Sequence, residues 1–307
     1  MGKSARLNDP VPRFDVLCVG RACVDEILEV DAYPAEDTKV PLRDRLVEGG
    51  GQASTAACLA AHLGGRVAFL GVLGDDEPGR FARERMAAFG VDLSPCPPPR
   101  GTTPVAYCMA SRSSGTRTIL YEPSPERLRP GDVPPEAIAS ARVVLADPQA
   151  EPLLPSLVAA ARAAGTLVVA DAEHARPGWE KTWGLVDVLA AGASFLAEAY
   201  PGLPPAEALE RLARSAQGIC LATQGARGAI AWLGGRVRRF PAPAVEVRDS
   251  TGAGDAFHGA LALALARGTD LESAIPWAVR VASLCCRGLG GRSFPDPSEV
   301  LPAPWEG

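Results

Sequence analysis

Short β-branched runs alternate along this chain with longer Ala/Leu stretches at helical spacing, and no other feature restricts the fold as strongly. Strands buried on both faces read as continuous apolar runs, and a helix between two of them returns the chain to begin the next parallel strand. Core strands are predicted at Asp15 to Gly20, Val67 to Leu73, Arg142 to Ala146, Thr166 to Ala170, Val186 to Ala190 and Gly218 to Thr223. Helices are predicted at Gln52 to Leu63, Gly79 to Phe89, Leu154 to Ala164, Ala206 to Ala216, Gly254 to Ala266 and Leu271 to Cys286. The expected product is an α/β sandwich whose mainly parallel sheet is covered on both faces.

Two segments break the alternation. Glu26 to Glu48 reads as strands rather than helix, and Thr102 to Tyr121 reads as a hairpin around Ser113 to Thr116. Together they form a β excursion that, beside the carboxyl ends of the main strands, would cover a substrate. An irregular edge extension is the plainer alternative. No repeat or interdomain linker interrupts residues 1–307, so one domain is expected, with lid segments near 26–48 and 102–121.

Composition narrows the function. A formal net charge of -5 provides no basic field for phosphate backbones, so nucleic acid is an unexpected partner and a small molecule an expected one. The longest stretch free of Asp, Glu, Lys and Arg, Gly49 to Gly65, falls short of a membrane span. The 8 cysteines are scattered without a CxxC pair, which fits a reducing cytoplasm. Met1 to Asp15 has no apolar leader core and is read as a loose tail.

The most informative stretch is DSTGAGDAFHGALALALA, from Asp249 to Ala266. Gly252, Ala253 and Gly254 are small residues where an Ala/Leu helix begins, so their backbone N–H groups can face an anion unobstructed. Asp255 follows in the first turn, where the helix dipole is expected to keep its carboxylate ionised and able to accept a proton. An anion cradle beside a base suggests phosphoryl transfer, the cradle holding the γ-phosphoryl while Asp255 takes the proton of an attacking hydroxyl. On residues alone, a helix start capped by Ser250 or Thr251, with Asp255 merely complementing the dipole, accounts for the pattern as well.

The family pattern breaks the tie. DSTGAGDAFHG resembles the D-T-x-G-A-G-D-x-F-x-x-G signature of the ribokinase-like (PfkB) carbohydrate kinases, and VEGGGQASTAACLAAHLG, from Val47 to Gly64, is similar to their other signature. GVLGDDEPGRFARERMAAFGVD, from Gly71 to Asp92, resembles the stations between. The resemblance implies a ribokinase-like three-layer α/β/α sandwich with a small β lid, using Mg-ATP to phosphorylate a hydroxymethyl group. It also implies that Asp25, in VGRACVDEI, binds the sugar, with Gly50 and Gly51 allowing close approach and Gln52 or Thr55 supplying hydrogen bonds. Many members carry Asn where Gln52 stands, which changes the reach by one methylene.

For the nucleotide, TQGARG is similar to the family's T-x-G-x-x-G turn, which implies that Thr223, Gly225 and Gly228 receive ATP. There is no G-x-x-x-x-G-K-[ST] loop. Arg117, in SGTRTILY, resembles a phosphate-contacting Arg of ketohexokinases. Asp249, Thr251 and Ser293 are the candidates for a monovalent cation such as K+. The family's N-x-x-E motif falls near Ala193 to Leu196, which cannot ligate Mg2+, so phosphates and water are expected to supply most of its coordination. Asp171 and Glu173 are candidate outer-shell ligands.

Within the family, GGGQASTAA, YEPSPERLRP and VVLADPQA are similar to sulfofructose kinase, and GTRTILY to ketohexokinase. Lys39 then matches a cation that meets an anionic acceptor tail, whereas Tyr121 and Gln149 stand where sulfofructose kinase has Asn and Arg. A ketose acceptor is the leading expectation. A nucleoside kinase and a non-catalytic sugar sensor are the alternatives, and a homodimer through the lid is the expected assembly.

Overall fold

A computed structural model describes residues 12–306. The chain runs β1 (Phe14–Val19), β2 (Cys23–Val30), β3 (Asp44–Gly50), α1 (Gln52–His62), β4 (Val67–Leu70), α2 (Glu77–Ala88), β5 (Val105–Ser111), β6 (Arg117–Glu122), α3 (Pro135–Ala139), β7 (Ala141–Ala146) and α4 (Leu154–Ala164). It continues β8 (Leu167–Ala172), β9 (Val188–Ala191), α5 (Ala193–Ala199), α6 (Pro205–Ser215), β10 (Ile219–Thr223), β11 (Ala229–Leu233), β12 (Arg236–Phe240), α7 (Ala253–Ala266) and α8 (Leu271–Cys285). The loose-tail reading lies, for residues 1–11, outside the described residues.

The larger sheet has the strand order β12-β11-β10-β9-β8-β7-β1-β4. Every pairing from β10 to β4 is parallel, while β11 and β12 are added antiparallel at one edge. Successive side chains of a strand point to opposite faces, so Val16 and Cys18 enter one apolar layer while Leu17 and Val19 enter the other. Buried residues of α1, α7 and α8 fill the first layer; those of α4 and α6 fill the second. The three-layer α/β/α expectation is met.

The excursion is a separate four-stranded sheet, order β3-β2-β5-β6. It begins three residues earlier than the sequence suggests, because Cys23 and Val24 already pair with Gly50 and Gly49. In its register Asp25, Ile27 and Glu29 share a face with Glu48, Leu46 and Asp44 of β3 and with Tyr121, Ile119 and Arg117 of β6. Ile27 and Cys108 on this face pack with Leu289 from the end of α8, which identifies it as the face turned toward the body.

The β11–β12 hairpin was not among the predicted strands. Its turn is Gly234-Gly235, both at positive φ, and that dipeptide between two β-capable runs is a hairpin signal. The charged run RVRRF obscured it, since an edge strand need bury only part of its side chains.

Candidate active site

The chain reverses its direction of travel across the sheet at β1, which has β4 on one side and β7 on the other. Crevices form outside the carboxyl ends of strands at such a switch. Gly20 ends β1 here against Asp147, which follows β7; a Cβ on Gly20 would lie 2.0 Å from Asp147 Cγ. Asp147 accepts hydrogen bonds from the backbone N–H groups of Arg21 (2.6 Å), Ala53 (3.2 Å) and Gln149 (2.7 Å), so it ties two strand ends to the start of α1. The sequence reading missed this residue, although a carboxylate directly after a core strand is the available signal.

Around this knot lie the acceptor candidates. Asp25 on β2 is 9% exposed, and its Oδ1 accepts a hydrogen bond from Cys23 Sγ at 3.2 Å. A Cβ on Gly50 would stand 2.1 Å from Asp25 Oδ2, so only glycine leaves that carboxylate its place. Gly51 begins α1 at φ 94°, against the Arg21 carbonyl. Gln52 Nε2 reaches Glu173 Oε2 at 3.4 Å, a long contact that leaves the amide largely available. Thr55 is buried at 2% exposure one turn further along α1, a position facing the core rather than open solvent. Lys39 lies in the exposed β2–β3 connection, with no recorded hydrogen bond or ion pair among the described residues. A recess beside Gly20 is lined by Arg21, Arg127 and Gln149.

The start of α7 borders the same cleft. Gly252 is left-handed at φ 72°, and a Cβ there would meet Gly291 Cα at 2.6 Å; Gly254 opens to free space. Asp255 follows in the first turn. Its carboxyl is pushed up to about 7, by burial first and then by the charges of Asp25 and Asp147, against the opposing pull of Arg117. The expectation of a dipole-held, fully ionised carboxylate is therefore corrected: desolvation and neighbouring anions outweigh the helix terminus. Below it, His258 is 4% exposed and its ring is pulled down to about 4 by burial, with Nδ1 3.4 Å from Asp171 Oδ2. Asp171 is itself buried and raised well above the ordinary carboxylate range, by burial and by the Asp255 charge.

Arg117, on the inner lid face, donates from Nη1 to Ser250 Oγ at 3.1 Å, so the lid reaches the segment that leads into α7. A cavity of about 680 Å³ is lined by Thr223, Gly225, Gly228, Ser250, Ala253 and Gly254. The TQGARG turn and the glycine-rich helix start, distant in sequence, thus share one cavity.

The cation candidates sit together in part. Asp249 Oδ1 accepts from Thr251 N (2.9 Å) and Thr251 Oγ1 (2.7 Å), and Oδ2 accepts from Gly290 N (2.9 Å). Ser293 packs instead against Gly288. Asp249 and Thr251 satisfy each other, so a monovalent ion here would draw on backbone carbonyls. Among the described residues no group of three or more His, Cys, Asp or Glu side chains is arranged for a metal. Ala193 to Leu196 forms the start of α5, with Phe195 and Leu196 buried.

Comparison with known proteins agrees with this fold. The model of the pfkB family carbohydrate kinases matches residues 13–298. A fructokinase of Klebsiella pneumoniae is 31% identical over 235 residues, 71% of this chain and 76% of its own. A nucleoside kinase of Methanothermobacter thermautotrophicus is 25% identical over 297 residues, 94% of each chain. The Arabidopsis thaliana ribokinase structure complexed with ribose and ATP shares the fold at a TM-score of 0.77 and 24% identity, over 95% of this chain and 98% of that one. With the family model spanning both signatures and both lid segments, the chain belongs to the pfkB family of carbohydrate kinases and is an ATP-dependent phosphotransferase acting on an alcohol group.

Proposed function

We propose that the acceptor is the hydroxymethyl group of a ketose, fructose or a fructose-like sugar that includes 6-deoxy-6-sulfofructose. The observation that carries this reading is that Asp25, buried on the lid against Gly50, and Asp255, in the first turn of α7, border one cleft that Arg117 spans through its hydrogen bond to Ser250. Asp25 would accept hydrogen bonds from adjacent sugar hydroxyls, with Gly50, Gly51 and Gln52 beside it. The acceptor oxygen attacks the γ-phosphorus, the bond to the β–γ bridging oxygen breaks, and the hydroxyl proton passes to Asp255. The products are a phosphate ester and ADP. Backbone N–H groups at Gly252 to Gly254 would hold the charge that spreads over the transferred group. Arg117 would neutralise charge between donor and acceptor.

Mg2+ would enter with the ATP phosphates and water, since these residues form no protein-held site for it, and K+ would be held by carbonyls near Asp249 and Ser293. A homodimer through the lid is the matching assembly: Val47 and Leu120, on the outer face, are 40% and 60% exposed, and sedimentation velocity tests it.

One observation favours a second reading. Tyr121, 63% exposed, shares the inner lid face with Asp25, where a nucleobase could stack on it. The test is ADP formation with Mg-ATP across fructose, sulfofructose, fructose phosphates, tagatose, ribose, ketogluconate and adenosine. Turnover of one ketose supports the proposal. Turnover of adenosine alone moves the assignment to a nucleoside kinase, and sugar binding without any turnover supports a sensor.

A further inference from the structure

The lid is fastened to the segment before α7 by a residue outside the family signature. Arg248 immediately precedes Asp249, and the backbone N–H groups of both donate to the Cys286 carbonyl, at 2.9 and 3.2 Å. The Arg248 guanidinium turns the opposite way, into the lid. Its Nε donates to Glu29 Oε1 at 3.0 Å, and its Nη2 to Glu29 Oε2 at 3.3 Å and to Asp44 Oδ2 at 2.8 Å. Glu29 lies on β2 and Asp44 opposite it on β3, so one cation clamps both strands.

The same short segment sets the cradle. Asp249 binds Thr251 and Gly290 through its carboxylate, and Gly252 rests on Gly291. Gly290 in turn approaches Leu46 and Ile27 of the lid. Those apolar contacts hold the lid near the body but have no directional preference. The Arg248 pair is bidentate on Glu29 and so fixes orientation as well as distance. Burial supports a role beyond adhesion. The Glu29 side chain is 4% exposed while that of Arg248 is 43% exposed, so the arginine can re-enter water but the carboxylate loses its partner when it does. A displaced lid leaves Glu29 either buried without a cation or hydrated, and both differ from the paired state.

We infer that Arg248 is a positioning residue that couples the lid to the anion cradle, so that filling the cradle with the nucleotide's phosphates steadies the lid over the acceptor. Arg248 does not line the cavity that the TQGARG turn shares with the helix start. It acts through the backbone of Asp249, and coupling of this kind is reciprocal: a seated lid orders the cradle as much as a filled cradle orders the lid. The inference rests on the kinase reading only for the nucleotide, and its test needs no acceptor.

The experiment is hydrogen exchange of peptides spanning β2 and β3, with and without Mg2+ and saturating AMP-PNP, a non-hydrolysable ATP analogue whose affinity is titrated for each variant. In the unmodified enzyme the nucleotide slows lid exchange by about 10-fold. In Arg248→Met the slowing falls below about 2-fold and, by the same reciprocity, AMP-PNP affinity falls by up to about 5-fold, so exchange is compared at saturation of each variant. Asp44→Ala removes only the exposed arm of the clamp and gives an intermediate slowing, which guards against a variant that folds poorly. Raising the salt concentration shrinks the slowing in the unmodified enzyme and leaves Arg248→Met unchanged. A merely structural role would speed lid exchange equally with and without nucleotide. Nucleotide-induced slowing in Arg248→Met equal to that of the unmodified enzyme overturns the coupling. Failure of the kinase reading is separate: it shows as nucleotide binding without ADP formation across the acceptor panel, whatever the lid exchange does.

Discussion

As the proposed base, Asp255 carries opposing demands. A base that accepts a proton at neutral pH works best with a pKa near the working pH, and burial beside Asp25 and Asp147 brings Asp255 to about 7. The reaction rate is therefore expected to rise with pH through about 7, the base being active only when ionised. Stability runs the other way. Between the ordinary value of 3.8 and about 7 the folded protein holds a proton that the unfolded chain has released, so this residue's contribution falls as pH rises through that window. Asp255→Asn removes both effects. Its kcat should drop by at least about 100-fold with acceptor binding retained. Its melting temperature should exceed that of the unmodified enzyme at pH 8, and the gain should vanish below pH 3.8, where both states are protonated. A variant that melts lower at pH 8 would show that burial does not govern this carboxyl.

At the scale of elements, local signals set what the sequence disclosed. The cradle was legible because its parts are consecutive: a left-handed Gly252, the small Ala253 and Gly254, then Asp255 and an Ala/Leu helix. Most core strands were legible through their continuous apolar runs. Neither the Arg248–Glu29 pair, 219 residues apart in sequence, nor the meeting of Asp147 with Gly20 carries a local signal, since each exists only after the sheet order brings its parts together. α5 was missed because seven residues are too few to show a helical period. α2 shows a local signal with a long-range use. Asp76 caps it by accepting from Gly79 N at 2.8 Å, and its other oxygen accepts from Thr103 N at 2.8 Å, just ahead of β5. Asp76→Ala should cost about 2 kcal/mol, at the upper end of cap losses, because two donors are left unpaired. Urea unfolding measures this; a loss below about 0.5 kcal/mol would mean that water replaces both bonds.

At the scale of the whole molecule, the two halves of the active site stand on two helices that cross. α1 begins at Gln52, beside the acceptor candidates, and α7 begins at Ala253, within the cradle. They meet at Gly259, where a Cβ would lie 2.5 Å from the Ala56 carbonyl oxygen and 3.0 Å from its Cα. The obstacle is backbone within a helix, so no side-chain rotation relieves it. The last glycine of DSTGAGDAFHG thus owes its place to interhelical spacing, which in turn would set the separation between the proposed acceptor and γ-phosphoryl positions. Gly259→Ala gains helix propensity, about 1 kcal/mol in a free helix, but forces α1 and α7 apart at an overpacking cost of about 1–3 kcal/mol. The strain should win because the helices are buried on both sides of the crossing. The variant should melt several degrees lower. Its kcat should fall further than its affinity for either substrate, because misplacing two bound reactants costs reaction rate before it costs binding. Thermal unfolding paired with steady-state kinetics decides the point. Lower stability with unchanged kcat would mean that the lid and the cradle, rather than the helix crossing, set the distance across which the phosphoryl group moves.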